Sequence, residues 1–178
     1  MSTSAEDDRI RAAARGDRAA AASLAAELLP RVRNLVRYLV RGDTEVDDMA
    51  QEALIAILKG LPTYRGEGSF KSWCDRIVAR TTFAYLKRKR ADASDAMEAA
   101  ADLEVPATPG RGDDYVARRQ LARMLDRLPT EQRHALVLHH CMGLSVPEVA
   151  EALGVPFDTA KSRIRLGMAS LRGRLEEG

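Results

Sequence analysis

Residues 43–90 constrain the fold more than any other stretch: an acid-headed amphipathic segment, a glycine-broken connection, then a second amphipathic segment ending in basic residues. In DTEVDDMAQEALIAILKGLP, Val46, Ala50, Ala53, Leu54, Ile57 and Leu61 recur at helical spacing and form one apolar stripe. Glu45, Asp47 and Asp48 crowd its first turn, where unpaired amide hydrogens favour carboxylates. Lys59 and Gly60, followed by Pro62, end it. Asp48, Gln51, Glu52 and Ile55 share the remaining face, which on residues alone reads as a solvated surface.

The connection YRGEGSFKSW holds Gly66 and Gly68, which free the backbone, and Ser69, placed to cap a helix over residues 70–90. That helix carries Phe70, Trp73, Ile77, Ala84 and Leu86 as apolar positions, with Cys74, Val78 and Phe83 nearby. Its basic side holds Lys71, Arg76, Arg80, Lys87, Arg88, Lys89 and Arg90. With Arg65, residues 61–90 contain eight basic side chains against Glu67 and Asp75, a net charge of +6. Basic and aromatic side chains beside a glycine loop suit phosphate neutralisation and stacking on unpaired bases. Charge alone is equally compatible with an ordinary surface helix over an aromatic core.

Composition sets the class. The chain has 178 residues, enough for one ordinary domain or two small ones. It is 46% hydrophobic but only 4% aromatic, with few candidate strands, so an all-α fold is expected. Net charge is only +2, so a nucleic-acid partner must be argued from where the charges lie. Cys74 and Cys141 fall inside predicted helices and read as reduced thiols of a cytosolic protein. MSTSAEDDRI lacks the apolar core of a secretory signal, and no run approaches the roughly 20 apolar residues of a membrane span. The expectation is a cytoplasmic protein without membrane insertion.

The remaining segments are read in order. Residues 1–8 read as a disordered tip and 8–15 as a short helix, broken at Gly16-Asp17. The run from Asp17 carries Leu24, Leu28, Val32, Leu35, Val36 and Leu39 as an apolar stripe, with Pro30 expected to kink or divide the helix. Arg31, Arg33, Arg37 and Arg41 lie largely off that stripe and read as solubilising residues or members of local ion pairs. Composition then shifts: the stretch after Arg90 holds seven acids against Arg111, and Pro106, Pro109, Gly110 and Gly112 forbid a continuous helix through its second half. It reads as a flexible acidic linker. Beyond it, Val116, Leu121, Leu125 and Leu128 mark one helix, and Leu136 and Val137, with Cys141, a second ended by Gly143. Ser145 and Glu148 form a capping box, and Gly154 supplies the turn before a last helix over residues 156–175. That helix buries Ala160, Ile164, Met168, Leu171 and Leu175 and displays Asp158, Thr159, Lys161, Ser162, Arg163 and Arg165. The pattern fits a helix-turn-helix with a recognition helix, and also an inert αα-hairpin.

These motifs carry a resemblance. The acid-acid-x-x-Gln-Glu pattern, the Arg-Gly-Glu-Gly-Ser-Phe loop and the Trp-x-x-Arg-Ile run resemble, in order and spacing, the promoter-melting domain of bacterial extracytoplasmic-function sigma factors of the sigma-70 family. LPTEQRHALVLHHCMGLSVPEVAEALGVPFDTAKSRIRLGMASLRGRL resembles the family's domain that reads the minus-thirty-five element, and the likeness spans residues 10–175. It implies two small helical domains, residues 1–90 and 114–178, joined by a linker over 91–113. It implies that Asp47, Asp48, Gln51 and Glu52 dock on the clamp helices of the beta-prime subunit of core RNA polymerase, with the beta flap as a further contact. Arg65, Ser69, Phe70, Lys71, Trp73, Arg76, Arg80, Lys87 and Arg88 would engage and melt the minus-ten element. Thr159, Lys161, Ser162, Arg163 and Arg165 would contact upstream promoter DNA. The resemblance also implies an anti-sigma factor as partner and a monomer when free. It adds a second reading of the linker, threading the polymerase cleft, beside that of a solvated tether. The chain departs from the family at Arg80, often Asn, at Ala84, often Asp, and at Pro156-Phe157, which replace a Ser-Glu start.

Other chemistry finds little support. Adjacent His139 and His140 point about 100° apart on a helix, and His134 and Cys141 complete no ligand spacing, so no metal is expected. No phosphate-cradling loop or dinucleotide fingerprint follows a strand, so no cofactor and no enzyme activity are expected. Two further readings stay open: a free-standing helix-turn-helix regulator with a dimerising or effector bundle, and an adaptor whose basic helices bind acidic proteins. Both leave the glycine loop with Phe70 and Trp73 without a role.

Overall fold

A computed structural model describes residues 4–93 and 113–176. The described residues hold eight α-helices and no strand, as an all-α chain requires. They are α1 (Ser4–Ala14), α2 (Arg18–Leu39), α3 (Val46–Gly60), α4 (Phe70–Ala93), α5 (Asp113–Asp126), α6 (Thr130–Leu136), α7 (Val146–Leu153) and α8 (Phe157–Glu176). The expected linker lies outside the described residues except at its two ends. The chain divides into two compact units. The first holds α1, α2 as far as Val36, α3 and α4; the second holds residues 37–44 and α5 to α8.

In the first unit, α3 packs on α4. Val46, Met49, Ala50, Ala53 and Ile57 are the buried side of α3, and Phe70, Cys74, Ile77 and Val78 that of α4. Gly60, at the end of α3, permits the tightest approach: a β-carbon there would stand 3.2 Å from the Trp73 ring. Asp17 caps α2, its Oδ1 accepting the Ala20 amide at 2.9 Å. The helix then runs unbroken through Pro30, against the alternative of a divided helix. The lost hydrogen bond is offset because Leu24 before the proline and Val32, Leu35 and Val36 after it are all buried. The first helix begins at Ser4, inside the stretch read as a disordered tip. Burial explains this: α1 lies on the 3-10 turn Leu61–Thr63, with Ile10 and Ala13 covered.

Two further expectations are overturned in this unit. Ala84 is exposed, since it falls outside the arc of α4 that holds Cys74, Ile77 and Val78. Arg31 and Arg33 make ion pairs that are not local: Arg31 forks onto Asp75 of α4, with Nε donating to Oδ1 at 2.9 Å, and Arg33 meets Asp47 of α3 at 2.8 Å. Asp75 is itself buried, 2% exposed.

Beside it, Cys74 is enclosed, and burial pushes its thiol from 9.0 up to about 12, with the Asp75 charge acting the same way and Arg31 opposing. An acid whose folded-state pKa is raised stabilises the fold below its unfolded pKa and loses that contribution as pH rises. The unfolded thiol ionises first, so stability should fall between about pH 9 and about pH 12, by at most about 1.4 kcal/mol per unit. Urea unfolding across this range should show a shallower fall in Cys74→Ala; equal slopes would refute the assignment.

In the second unit the core gathers Leu125, Leu128, Leu136, Val137, Leu138, Met142, Leu144, Val149 and Ala160. Val116, expected inward, is 64% exposed, one turn from the start of α5, where no described residue buries it. Residues 130–143 were expected to form one helix; instead α6 passes into a π-helical turn, Val137–Cys141, closed by the Met142 amide on the Val137 carbonyl at 3.1 Å. The His139 ring meets the Leu144 carbonyl through Nδ1 at 2.7 Å, and Cys141 is half-buried. Arg37 forks onto Asp126 at 2.6 and 2.9 Å, and Arg41 donates to the Leu128 carbonyl at 3.3 Å. Asp126 and Leu128 are distant in sequence, whereas the expected local pairing is met by Asp43, which Arg37 Nε reaches at 2.5 Å. Arg133 is buried; its Nε and Nη1 make no hydrogen bond among the described residues, Nη1 standing 3.7 Å from Asp126 Oδ1. Burial pushes its guanidinium down to about 10 while Asp126 opposes this.

Gly167 sets the approach of α8 to α6. A β-carbon there would fall 2.6 Å from Leu136 Cδ1, 3.0 Å from its Cγ and 3.3 Å from the Gln132 carbonyl. Alanine would gain up to about 1 kcal/mol of helix propensity, which partly offsets a shift of Leu136. A branched side chain cannot be so accommodated. Gly167→Val should cost about 1–3 kcal/mol, read as a lowered thermal midpoint; an unchanged midpoint would show that the approach is looser than this packing implies.

Candidate nucleic-acid and protein interfaces

Three surfaces emerge from these helices. The first is the outer face of α3. Asp47, Asp48, Gln51, Glu52 and Ile55 are all exposed, because the buried side of the helix is filled by Val46, Met49, Ala50, Ala53 and Ile57. Ile55, 44% exposed, stands among polar neighbours, the arrangement of a protein-binding patch with an apolar centre and polar rim. Asp47 is paired with Arg33, and Glu52 with Arg88 at 3.0 Å. Asp48 and Gln51 make no ion pair or side-chain hydrogen bond with another described residue, so of the four polar residues they are the ones open to a partner.

The second surface is the loop before α4 and one side of that helix. Gly66 and Gly68 adopt φ of +76° and +80°, a conformation that side-chain-bearing residues resist. The Tyr64 hydroxyl donates to the Gly68 carbonyl at 3.2 Å and closes the loop. Ser69 caps α4 as its sequence position suggests, with Oγ accepting the Ser72 amide at 3.1 Å. Tyr64, Phe70 and Trp73 form a ring cluster with centroids 5.3–5.7 Å apart. Phe70, 3% exposed, sits at its bottom as packing, whereas Tyr64 and Trp73 are half-buried.

The basic residues of this surface divide. Arg65, Ser69, Lys71, Arg76, Arg80, Lys87 and Arg88 are all exposed. At about 100° per residue, Arg76, Arg80 and Lys87 fall within about 40° of one another, with Trp73 beside them. Lys71 and Arg88 fall outside that stripe, and Arg88 is held by Glu52. Lys89 is likewise held by Glu45 at 2.6 Å. The exposed Ala84 falls about 40° to one side of Arg80, outside the stripe.

The third surface belongs to the second unit. The Ser145 amide donates to Glu148 Oε2 at 2.7 Å in the expected capping box, which starts α7. Gly154 ends α7 at φ +63° and turns the chain into α8, forming a helix-turn-helix. Ala160, Gly167 and Leu171 anchor α8 on the core. Lys161 and Arg165 are exposed one turn apart on its outer side. Thr159, Ser162 and Arg163 are half-buried, and Thr159 and Arg163 fall on the side away from Lys161, so the five do not share one face. The outer side instead includes Phe157 and Asp158, which are exposed beside Lys161. Sequence reasoning passed over Phe157 as a binding residue; the available signal was an aromatic residue directly after a proline at a helix start.

Among the described residues no three His, Cys, Asp or Glu side chains gather as a metal site, and no helix is long and apolar enough to cross a membrane. Comparison with known proteins matches residues 24–92 to the sigma-70 region 2 family and residues 118–171 to sigma-70 region 4. The chain is 31% identical over 166 residues to the ECF RNA polymerase sigma factor SigM of Mycobacterium tuberculosis, covering 92% of this chain and 82% of that protein. It is 32% identical over 161 residues to the ECF RNA polymerase sigma-E factor of Escherichia coli K12, covering 84% and 83%. Among solved structures, the fold is similar to the sigma factor RpoE of Bartonella quintana, in complex with the anti-sigma factor NepR, with a TM-score of 0.61 at 21% identity over 86% of this chain and 97% of that one. It is also similar to CnrH in complex with the cytosolic domain of CnrY, at a TM-score of 0.57 and 23% identity, over 97% and 98%.

Proposed function

The chain belongs to the sigma-70 family, in its ECF group, and on that premise we propose how its surfaces divide the work of initiation. It is a sigma factor that directs promoter-specific transcription by RNA polymerase. On our reading, Asp48 and Gln51, with Ile55 at the centre of the same face, dock on the clamp helices of the polymerase beta-prime subunit. Asp47 and Glu52 serve at the rim, where each is already paired within the chain.

The stripe of Arg76, Arg80 and Lys87 follows the strand backbone at the minus-ten element, with Trp73 at its edge and Arg65 and Ser69 at the loop. Unstacking a base step costs a few kcal/mol, and contacts to the freed strand offset it. Phe70 serves by seating Trp73 rather than by touching bases, and Lys71 and Arg88 contribute charge from outside the stripe. In the second unit, Lys161 and Arg165 meet the upstream element with Ser162 nearer to them, Thr159 and Arg163 serve from the side of the helix turned away from Lys161, and the beta flap holds this unit in place. Residues 1–90 then form the melting domain and 114–178 the upstream-reading domain. The chain works in the cytoplasm, carries no catalysis of its own, and is held inactive by an anti-sigma factor, as the complexes of its structural relatives suggest.

The observation that carries this reading is the open Asp48–Gln51–Ile55 face on a helix whose other side is wholly used in packing. Purified chain and core polymerase should initiate from specific sites in a pool of genomic fragments. Asp48→Ala/Gln51→Ala should abolish polymerase binding and initiation while leaving helicity and thermal midpoint unchanged. Undiminished initiation by that variant would refute the docking face; tight duplex binding without any initiation by the unaltered chain would refute the reading as a whole.

A further inference from the structure

We propose that Phe157 is a specificity-determining residue that reads the C5-methyl group of a thymine in the upstream promoter element. The inference rests on the DNA-reading role given to α8 above. Phe157 is the first residue of that helix and is 48% exposed, with no ring, cation or hydrogen-bonding partner among the described residues. The Ala160 amide bonds the Pro156 carbonyl at 3.0 Å, so the turn that carries the ring is formed. Pro156 itself has a restricted φ, which holds the entry to that turn.

Position gives the ring its target. At about 100° per residue, Phe157, Lys161 and Arg165 advance by about 40° at each step along roughly 12 Å of helix. A recognition helix enters the major groove with its N-terminal residues at the base edges, so the first of these three is placed deepest. The major groove offers one apolar group, the thymine methyl, among hydrogen-bond donors and acceptors. An uncharged ring beside Lys161 and Arg165 therefore finds one complementary feature there. The exposed carboxylate of Asp158, next in the chain, repels phosphates and favours base edges over the backbone for this turn. The two cations supply the attraction to duplex DNA that the ring cannot.

The test uses holoenzyme reconstituted from the full chain and core polymerase, on a promoter selected from random DNA by that holoenzyme. Each thymine of the upstream element is replaced singly by deoxyuridine, which lacks only the methyl group. With the unaltered chain, one position should lose about three- to tenfold in initiation, the scale expected for one buried methyl. Phe157→Ala should initiate at that reduced level on the thymine template and show no further loss on the deoxyuridine template. Thermal midpoints should match, since the ring is exposed. Loss of initiation by Phe157→Ala that is independent of every methyl group would place the ring against protein and overturn the proposal. Retained sensitivity to the methyl in Phe157→Ala would show that another residue reads it, with the same consequence. Failure of the unaltered chain to initiate anywhere would instead remove the underlying reading of α8.

Discussion

Arg31→Met should lower the stability of the first unit by about 3–5 kcal/mol, the cost of leaving one member of a buried ion pair without its partner. The carboxylate at risk is that of Asp75, 2% exposed, which accepts a two-pronged bond from the Arg31 guanidinium. Water cannot replace the lost donors at such a site, whereas Arg31 is itself partly open, with 31% of its side chain exposed. The loss is therefore asymmetric: Asp75→Ala frees a cation that solvent can reach and should cost less than Arg31→Met. A small domain has about 5–15 kcal/mol in total, so the arginine variant should be close to unfolding at physiological temperature. Chemical denaturation measures it. The double variant Arg31→Met/Asp75→Leu removes both charges and should recover most of the loss. Equal destabilisation by the single and double variants would show that packing of these side chains, and not the unpaired charge, sets the cost.

The second large effect concerns the stripe on α4. Arg76→Glu/Arg80→Glu should reduce open-complex formation by about 100-fold at physiological salt, since two phosphate contacts become repulsions. Both side chains are exposed, and surface substitutions of this kind change stability little, so the fold should persist. Polymerase binding through α3 should persist, which separates this defect from that of Asp48→Ala/Gln51→Ala. Permanganate footprinting of unpaired thymines reads melting directly. Duplex capture at the upstream element should remain, and lowering the salt should recover part of the melting. Normal melting by the double variant would remove the stripe from the DNA path. Arg88→Glu is the internal control: Arg88 lies off the stripe and is paired with Glu52, so its charge reversal should matter far less.

The two pairs of arginines mark the limit of what neighbouring residues reveal. Helix positions, the Ser69 cap, the Ser145–Glu148 box and the turns at Gly66, Gly68 and Gly154 were legible, because each depends on residues within about four positions. The buried stripe of α3 was legible for the same reason, as was the free face opposite it. Arg31 and Asp75 stand 44 positions apart, and Arg37 and Asp126 stand 89 apart. No local pattern announces such pairs, which read as solubilising charge until packed helices bring them together.

Rotation of a helix about its own axis is the other quantity that packing decides. It put Phe70 beneath Trp73, left Ala84 and Val116 outside, and gathered Arg76, Arg80 and Lys87 while turning Lys71 and Arg88 away. It also placed Phe157 beside Lys161 and set Thr159 and Arg163 apart from them. The class of the fold and its family were thus determined by sequence alone, since local propensity and motif spacing survive without tertiary contacts. Which charges are structural and which are free to bind was decided only in three dimensions, because a side chain's partner is set by the helices packed against it.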